Sequence, residues 1–128
     1  MSHDTSYAAP IKPMSAGEER TLGAAMHWVP LIATVLSAGT LGFLGSLVMY
    51  LVFKDRGEFV RAQGANSLNV QIATGIGLLV SLVLMLVLIG FVTWWVVLAW
   101  AVVLHALGAV KAHRGEWWTP PLTPRFVR

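Results

Sequence analysis

Two long stretches of the chain contain no charged side chain: Lys, Arg, Asp and Glu are absent from residues 21–53 and from residues 62–110. A helix needs about 20 apolar residues to cross a bilayer, so the second stretch has room for two crossings. The first is too long for one crossing and short for two. We therefore predict an all-α fold, an integral membrane four-helix bundle with short external turns. The predicted helices cover about residues 18–36, 41–54, 58–89 and 92–113.

The ends of these helices follow from residues that cap or break helices. Ser15 and Glu18 have the spacing of a capping box at the start of the first helix. Residues 37–40 predict a tight turn, and Gly90 marks another. The second helix is short, since about 14 residues rise only about 21 Å. Either its outer turn is sunk in the bilayer, or the membrane is thinner there. Residues 1–17 are predicted to form a flexible cytoplasmic tail, ahead of a single four-helix domain with an extended C-terminal cytoplasmic tail.

Charge placement predicts the orientation of the helices. Only 12% of the residues are charged, against about 25% in soluble domains. All nine Lys and Arg residues fall on the N-terminal segment, the connection between the second and third helices, or the C-terminal segment. Because basic segments stay in the cytoplasm, we expect a multi-pass protein of the bacterial cytoplasmic (inner) membrane with both termini cytoplasmic. Its expected partners are the lipid bilayer and other membrane proteins, and the alternating signs of the loop charges exclude a nucleic acid.

Amide and hydroxyl side chains continue from the charged connection into the apolar third helix. They cluster on one side of a helical wheel, and lipid offers them no hydrogen-bond partner. One interpretation is that they bond across helices and fix the packing. The alternative is a polar face that serves as a partner surface on the cytoplasmic half of the bundle. These residues are Gln63, Asn66, Ser67, Asn69, Gln71 and Thr74.

Two further patterns lie within the apolar segments. His27 and His105 have similar distances to the flanking basic residues, so they are expected at similar depth. Such a pair of imidazoles could ligate haem or a metal, or could be two neutral, hydrogen-bonded side chains. We expect no cofactor. Ala38, Gly42 and Ser46 recur every fourth position and favour close helix packing, with a dimer face, and hence a homo-oligomer, as the alternative.

Three segments of the chain resemble the signature segments of a known family. They read EERTLGAAMHW, LVMYLVFKDRGEFVRAQGANSLNVQ and GAVKAHRGEWWTPPLTPRFVR. In this order they look like those of the Tic-twenty-like family of small four-helix bacterial membrane proteins. That family is mostly described as a domain of unknown function and is distantly related to a chloroplast inner-envelope protein-import component. The resemblance covers about residues 18–128 and implies the same four-helix topology.

The residues that match the family pattern lie mainly at the helix ends. Within the pattern, Val70 replaces an aromatic residue and Pro124 interrupts the terminal motif. The matching residues are Glu18, Glu19, Arg20, His27, Lys54, Asp55, Phe59, Val60, Asn69, Gln71, Lys111, Gly115, Glu116, Pro121, Leu122, Thr123, Arg125 and Phe126.

The expected function is that of a non-enzymatic accessory or scaffold subunit of a larger inner-membrane complex. The chain has no cysteine, no charged residue inside a predicted crossing, and no nucleophile–histidine–acid set. The resemblance implies an alternative, which is a component of a protein-translocation or small-solute transport path acting as an oligomer. A third alternative is a haem-binding subunit that uses His27 and His105.

Overall fold

Four α-helices make up most of the computed structural model, which describes residues 13–128. The bounds are α1 Ala16–Ser37, α2 Gly42–Phe53, α3 Glu58–Leu84 and α4 Gly90–His113. Two short 3₁₀ turns, Lys54–Arg56 and Met85–Val87, follow α2 and α3. None of the described residues lies in a strand, so the predicted all-α fold is confirmed. The third helix ends earlier than its predicted limit, because a 3₁₀ turn replaces its last residues. Most of the predicted N-terminal tail, residues 1–12, lies outside the described residues.

The start of α1 is fixed by the predicted capping box. The Ser15 hydroxyl accepts a hydrogen bond from the Glu18 amide at 3.1 Å, and the Glu18 carboxylate accepts one from the Ser15 amide at 3.1 Å. Each bond satisfies an amide that the first turn of a helix leaves unpaired. The capping-box prediction is therefore confirmed.

The helices pack so that α1 and α3 form the centre of the arrangement. α1 contacts the other three helices, and so does α3, whereas α2 and α4 lie on opposite sides without contacting each other in the described part of the chain. Ala16, Phe59 and Gly115 line one small cavity. The beginnings of α1 and α3 and the end of α4 are therefore neighbours at one end of the molecule.

Two helices are long and apolar enough to cross a membrane, namely the segments Glu58–Val87 and Gly90–His113. α2 has 12 residues and rises about 18 Å, against a hydrocarbon core of about 30 Å. Four crossings were predicted, and two helices within residues 13–128 meet this criterion.

The turn between α1 and α2 does not reach the end of the α3–α4 hairpin. A Cβ on Gly39 would lie 2.5 Å from the Leu98 side chain and 2.8 Å from that of Leu78, so the turn packs well short of Leu88. Ser37 bonds within the turn: its hydroxyl donates to a carbonyl of α1 and accepts from the Leu41 amide at 2.9 Å.

Polar side chains share the interior with apolar ones, and large apolar side chains also lie on the outside. His27, Gln63 and His105 are fully buried, as are Met26 and Val70. In contrast, Leu79 on α3 is 65% exposed and Val92 on α4 is 64% exposed. Buried polar groups must be hydrogen-bonded, and a large exposed apolar surface marks contact with a partner or a membrane.

Candidate functional site

A row of buried polar side chains crosses the molecule through α1, α3 and α4; we call it the polar row. It begins at Thr34, whose hydroxyl accepts a hydrogen bond from the Gln71 amide group at 2.9 Å. The same amide nitrogen lies 2.7 Å from Nε2 of His105. His105 and His27 then face each other, with their Nδ1 atoms 3.4 Å apart, and Nε2 of His27 lies 3.0 Å from Oε1 of Gln63.

A single assignment of hydrogen-bond donors and acceptors is consistent with every contact in the polar row. The Gln71 amide nitrogen can only donate, so Nε2 of His105 accepts and its proton sits on Nδ1. That proton is donated to Nδ1 of His27, which leaves the His27 proton on Nε2, pointing at the Gln63 carbonyl oxygen. Both imidazoles are therefore neutral, and each uses one nitrogen to donate and the other to accept. The tautomers follow from the hydrogen bonds, because hydrogen atoms themselves are assigned from such networks.

The two histidines thus meet, but in a geometry that suits a hydrogen bond. Haem iron held by two imidazoles needs nitrogens about 4 Å apart, twice a metal–nitrogen bond of about 2.0 Å, on opposite faces of a macrocycle. The Nδ1 atoms are closer than this and face each other directly. Among residues 13–128, no third His, Cys, Asp or Glu joins the pair to form a metal-binding group.

The polar row continues into the C-terminal segment, which we define as residues 114–128. The Gln63 amide group donates to the Glu116 carbonyl at 3.2 Å, and that of Asn66 donates to the Trp118 carbonyl at 2.7 Å. Asn69 is bonded twice to Val127. Its side chain accepts from the Val127 amide at 2.6 Å and donates to the Val127 carbonyl at 2.8 Å.

The C-terminal segment therefore folds back along the first half of α3. An amide side chain carries a donor and an acceptor side by side. It can therefore bond the main-chain carbonyl and amide of one residue, as a neighbouring β-strand does. The sequence predicted an extended tail but not these contacts with α3. Within the segment, Trp118 packs against the buried cluster of Val70, Ala101 and Leu104, while Trp117 is 63% exposed.

The remaining predicted polar-face residues are also buried. Ser67 on α3 shares a hydrogen bond of 2.7 Å with Ser46 on α2, and Thr74 donates to the Val70 carbonyl in its own helix at 2.7 Å. All six polar-face residues are less than one-tenth exposed, and their geometry favours the packing interpretation over a partner surface.

The three residues of the predicted small-residue stripe, Ala38, Gly42 and Ser46, lie in different environments. A Cβ on Gly42 would lie 2.1 Å from the Thr34 hydroxyl, so only glycine allows α2 to approach α1 this closely. Ser46 is buried as well. Ala38 is exposed and belongs to the turn, where it adopts a left-handed conformation with φ of 53°.

Together, the fold and the polar row define a small all-helical protein with a hydrogen-bonded polar row inside and two helices that could cross a membrane. Residues 18–127 match the model of the magnetosome magnetite crystal formation protein family. Because this match covers most of the chain, the chain belongs to that family. No curated protein and no solved structure matches the chain.

This match shows that the Tic-twenty-like identification is wrong. The segments that suggested it lie almost entirely within the matched residues 18–127. Charged helix ends, short turns and an amide-rich helix can occur in unrelated small helical proteins, and they do not by themselves identify a family. The motif residues therefore carry no function over from that family.

Sequence reasoning missed the bond between Asn69 and the C-terminal segment. The available signal was the recurrence of amide side chains at every third position of α3, at Gln63, Asn66 and Asn69. A segment containing Pro120 and Pro121 has no helical or strand periodicity, so nothing in its own pattern indicated that it docks.

Proposed function

We propose that this protein is a non-enzymatic accessory protein of the magnetosome membrane that supports the formation of magnetite crystals. The observation that carries this proposal is the closed polar row. The side chains best suited to chemistry inside the molecule, His27 and His105, spend their donors and acceptors on each other and on Gln63 and Gln71. The row therefore serves to hold the helices and the C-terminal segment in place.

The proposed topology is a multi-pass arrangement in which all four helices enter the bilayer and both termini are cytoplasmic. The basic residues gather where α1 and α3 begin and where α4 ends, as the positive-inside rule requires. Leu78, against which the first turn packs, comes 17 residues after Arg61, or about 25 Å along α3. The α1–α2 turn would then lie just inside the far boundary of a core about 30 Å thick.

The outer surface supports the same placement. Large apolar side chains are exposed along the lengths of α3 and α4, for example Val83, which is 67% exposed, and Val96, which is 61% exposed. Contact of such a surface with water is unfavourable, whereas contact with lipid chains is favourable. The proposed partners are the bilayer and other proteins of the same membrane, reached through the charged end of the molecule.

The other functions considered from the sequence have less support. The transport alternative was drawn from the Tic-twenty-like resemblance and loses its basis with it. The haem-binding alternative requires the two imidazoles to separate and to release their present hydrogen bonds.

Two measurements test the accessory role. Cells with an in-frame deletion should form magnetite crystals with an altered size distribution in electron micrographs, and the intact chain should restore it. A photo-crosslinking residue placed at Arg56, at the charged end, should capture a defined membrane protein, whereas one at the lipid-facing Val96 should not. Unchanged crystals together with recovery of a lone monomer from both positions would refute the proposal.

A further inference from the structure

A cavity of about 330 Å³ lies between the beginning of α3 and the C-terminal segment. Ala62 and Asn66 form its α3 wall, and Trp118, Arg125 and Arg128 line it from the other side. It therefore lies at the end of the molecule where the basic residues gather. The polar row does not extend into it beyond Asn66.

The charge around this cavity is positive. Both Arg125 and Arg128 are exposed, and no acidic side chain is among the lining residues. Within residues 13–128 the ion pair that forms joins Lys111 and Glu116 at 3.3 Å, so neither lining arginine is neutralised by a described carboxylate side chain. Two guanidinium groups beside one cavity favour an anion with several oxygen acceptors.

We propose that this cavity binds a phosphate group, with Arg125 and Arg128 neutralising its charge. The phosphate belongs either to an anionic lipid headgroup or to free inorganic phosphate. A basic cavity at a membrane surface is suited to a headgroup, and its volume admits the phosphate and its glycerol.

The lipid source rests on the membrane placement proposed above, whereas binding of inorganic phosphate does not depend on it. Topology can be mapped independently by labelling introduced cysteines. Failure of the phosphate site is therefore distinguishable from failure of the proposed function.

The test is native mass spectrometry of the full-length chain in mild detergent, with phosphatidylglycerol, diacylglycerol or inorganic phosphate added separately. About 0.5 M ammonium acetate reduces the Debye length to about 4 Å and removes diffuse attraction. The double variant Arg125→Gln/Arg128→Gln should weaken phosphatidylglycerol binding about 100-fold, since each charged hydrogen bond contributes about tenfold. Arg114→Gln is the matched control, because Arg114 is exposed at the same end but does not line the cavity.

If inorganic phosphate binds, and if the double variant weakens this binding while Arg114→Gln does not, the result would support the site with free phosphate as its source. Selective binding of phosphatidylglycerol would support the site with a lipid headgroup as its source. An equal loss of binding in Arg114→Gln and in the double variant would overturn the proposal. Equal binding of diacylglycerol, which has no phosphate, would overturn it as well.

Discussion

Replacing Asn69 with Leu should release the C-terminal segment from α3. Asn69 makes two bonds to Val127, at 2.6 and 2.8 Å, which satisfy both main-chain polar groups of that residue. Leucine has a similar volume but cannot donate or accept, so the substitution removes both bonds without leaving a large cavity. The first half of α3 keeps its other contacts with the neighbouring helices.

The size of the effect follows from the environment of the two bonds. Side-chain hydrogen bonds inside helical membrane proteins contribute about 0.6 kcal/mol on average and up to about 1.7 kcal/mol. Val127 is half-buried, so water can partly replace the lost partners. Two bonds then amount to about 1–3 kcal/mol, and the undocked population should rise about 5- to 150-fold.

Limited digestion with trypsin measures this population directly, because a cleavable bond follows Arg125 within the docked segment. When the segment opens and closes quickly, the cleavage rate is proportional to its open population. Thr93→Ala is the matched control, since it removes a 2.8 Å hydrogen bond to Ser81 near the opposite end of the helices. Helix content measured by circular dichroism should stay the same in both variants.

A cleavage rate in Asn69→Leu equal to that of the unmodified chain would refute the reasoning. The same rise in the Thr93→Ala control would also refute it, because the release would then follow from general loosening of the helices.

Three further predictions concern the interior and the start of α1. Gly108→Ala would place a Cβ 2.5 Å from the His27 ring, and two hydrogen bonds hold that ring in place. The substitution should therefore lower the free energy of unfolding, measured by thermal unfolding, by about 1–3 kcal/mol. An unchanged melting temperature would contradict this packing. Gln71→Leu removes the donor to His105 and should lower the free energy of unfolding by up to about 2 kcal/mol in the same assay. A more stable variant would contradict the stabilising role of the polar row. Ser15→Ala removes one bond of the capping box and should cost about 1 kcal/mol; hydrogen exchange should rise in the first turn of α1 only.

The helices could be predicted because each has a local cause in the sequence. The charge-free stretches indicated the apolar lengths, and the capping box indicated the start of α1. Similar spacings from basic residues indicated that His27 and His105 lie at similar depth. The limits were reached where a contact joins distant segments. The bonds from Asn66 and Asn69 go to main-chain groups of the C-terminal segment, and a carbonyl group has no signature in the sequence.

The family identification failed for a related reason. Residues at helix ends are constrained by the bilayer, since charge belongs outside it and backbone groups inside it must be bonded. Unrelated small membrane proteins therefore share charged ends such as Lys54 and Asp55 or Lys111 and Glu116. What distinguishes families is the whole pattern along the chain, which matches over residues 18–127.

Labelling of single cysteines tests the proposed membrane arrangement most directly, and the chain contains no native cysteine. A maleimide that cannot cross membranes would be applied to intact magnetosomes carrying Cys in place of Asp55, Thr123, Thr40 or Ile89. We predict rapid labelling at 55 and 123 on the outer, cytoplasmic face, and labelling at 40 and 89 only after detergent is added. Labelling at 40 or 89 in intact magnetosomes, or protection of either 55 or 123, would contradict the arrangement.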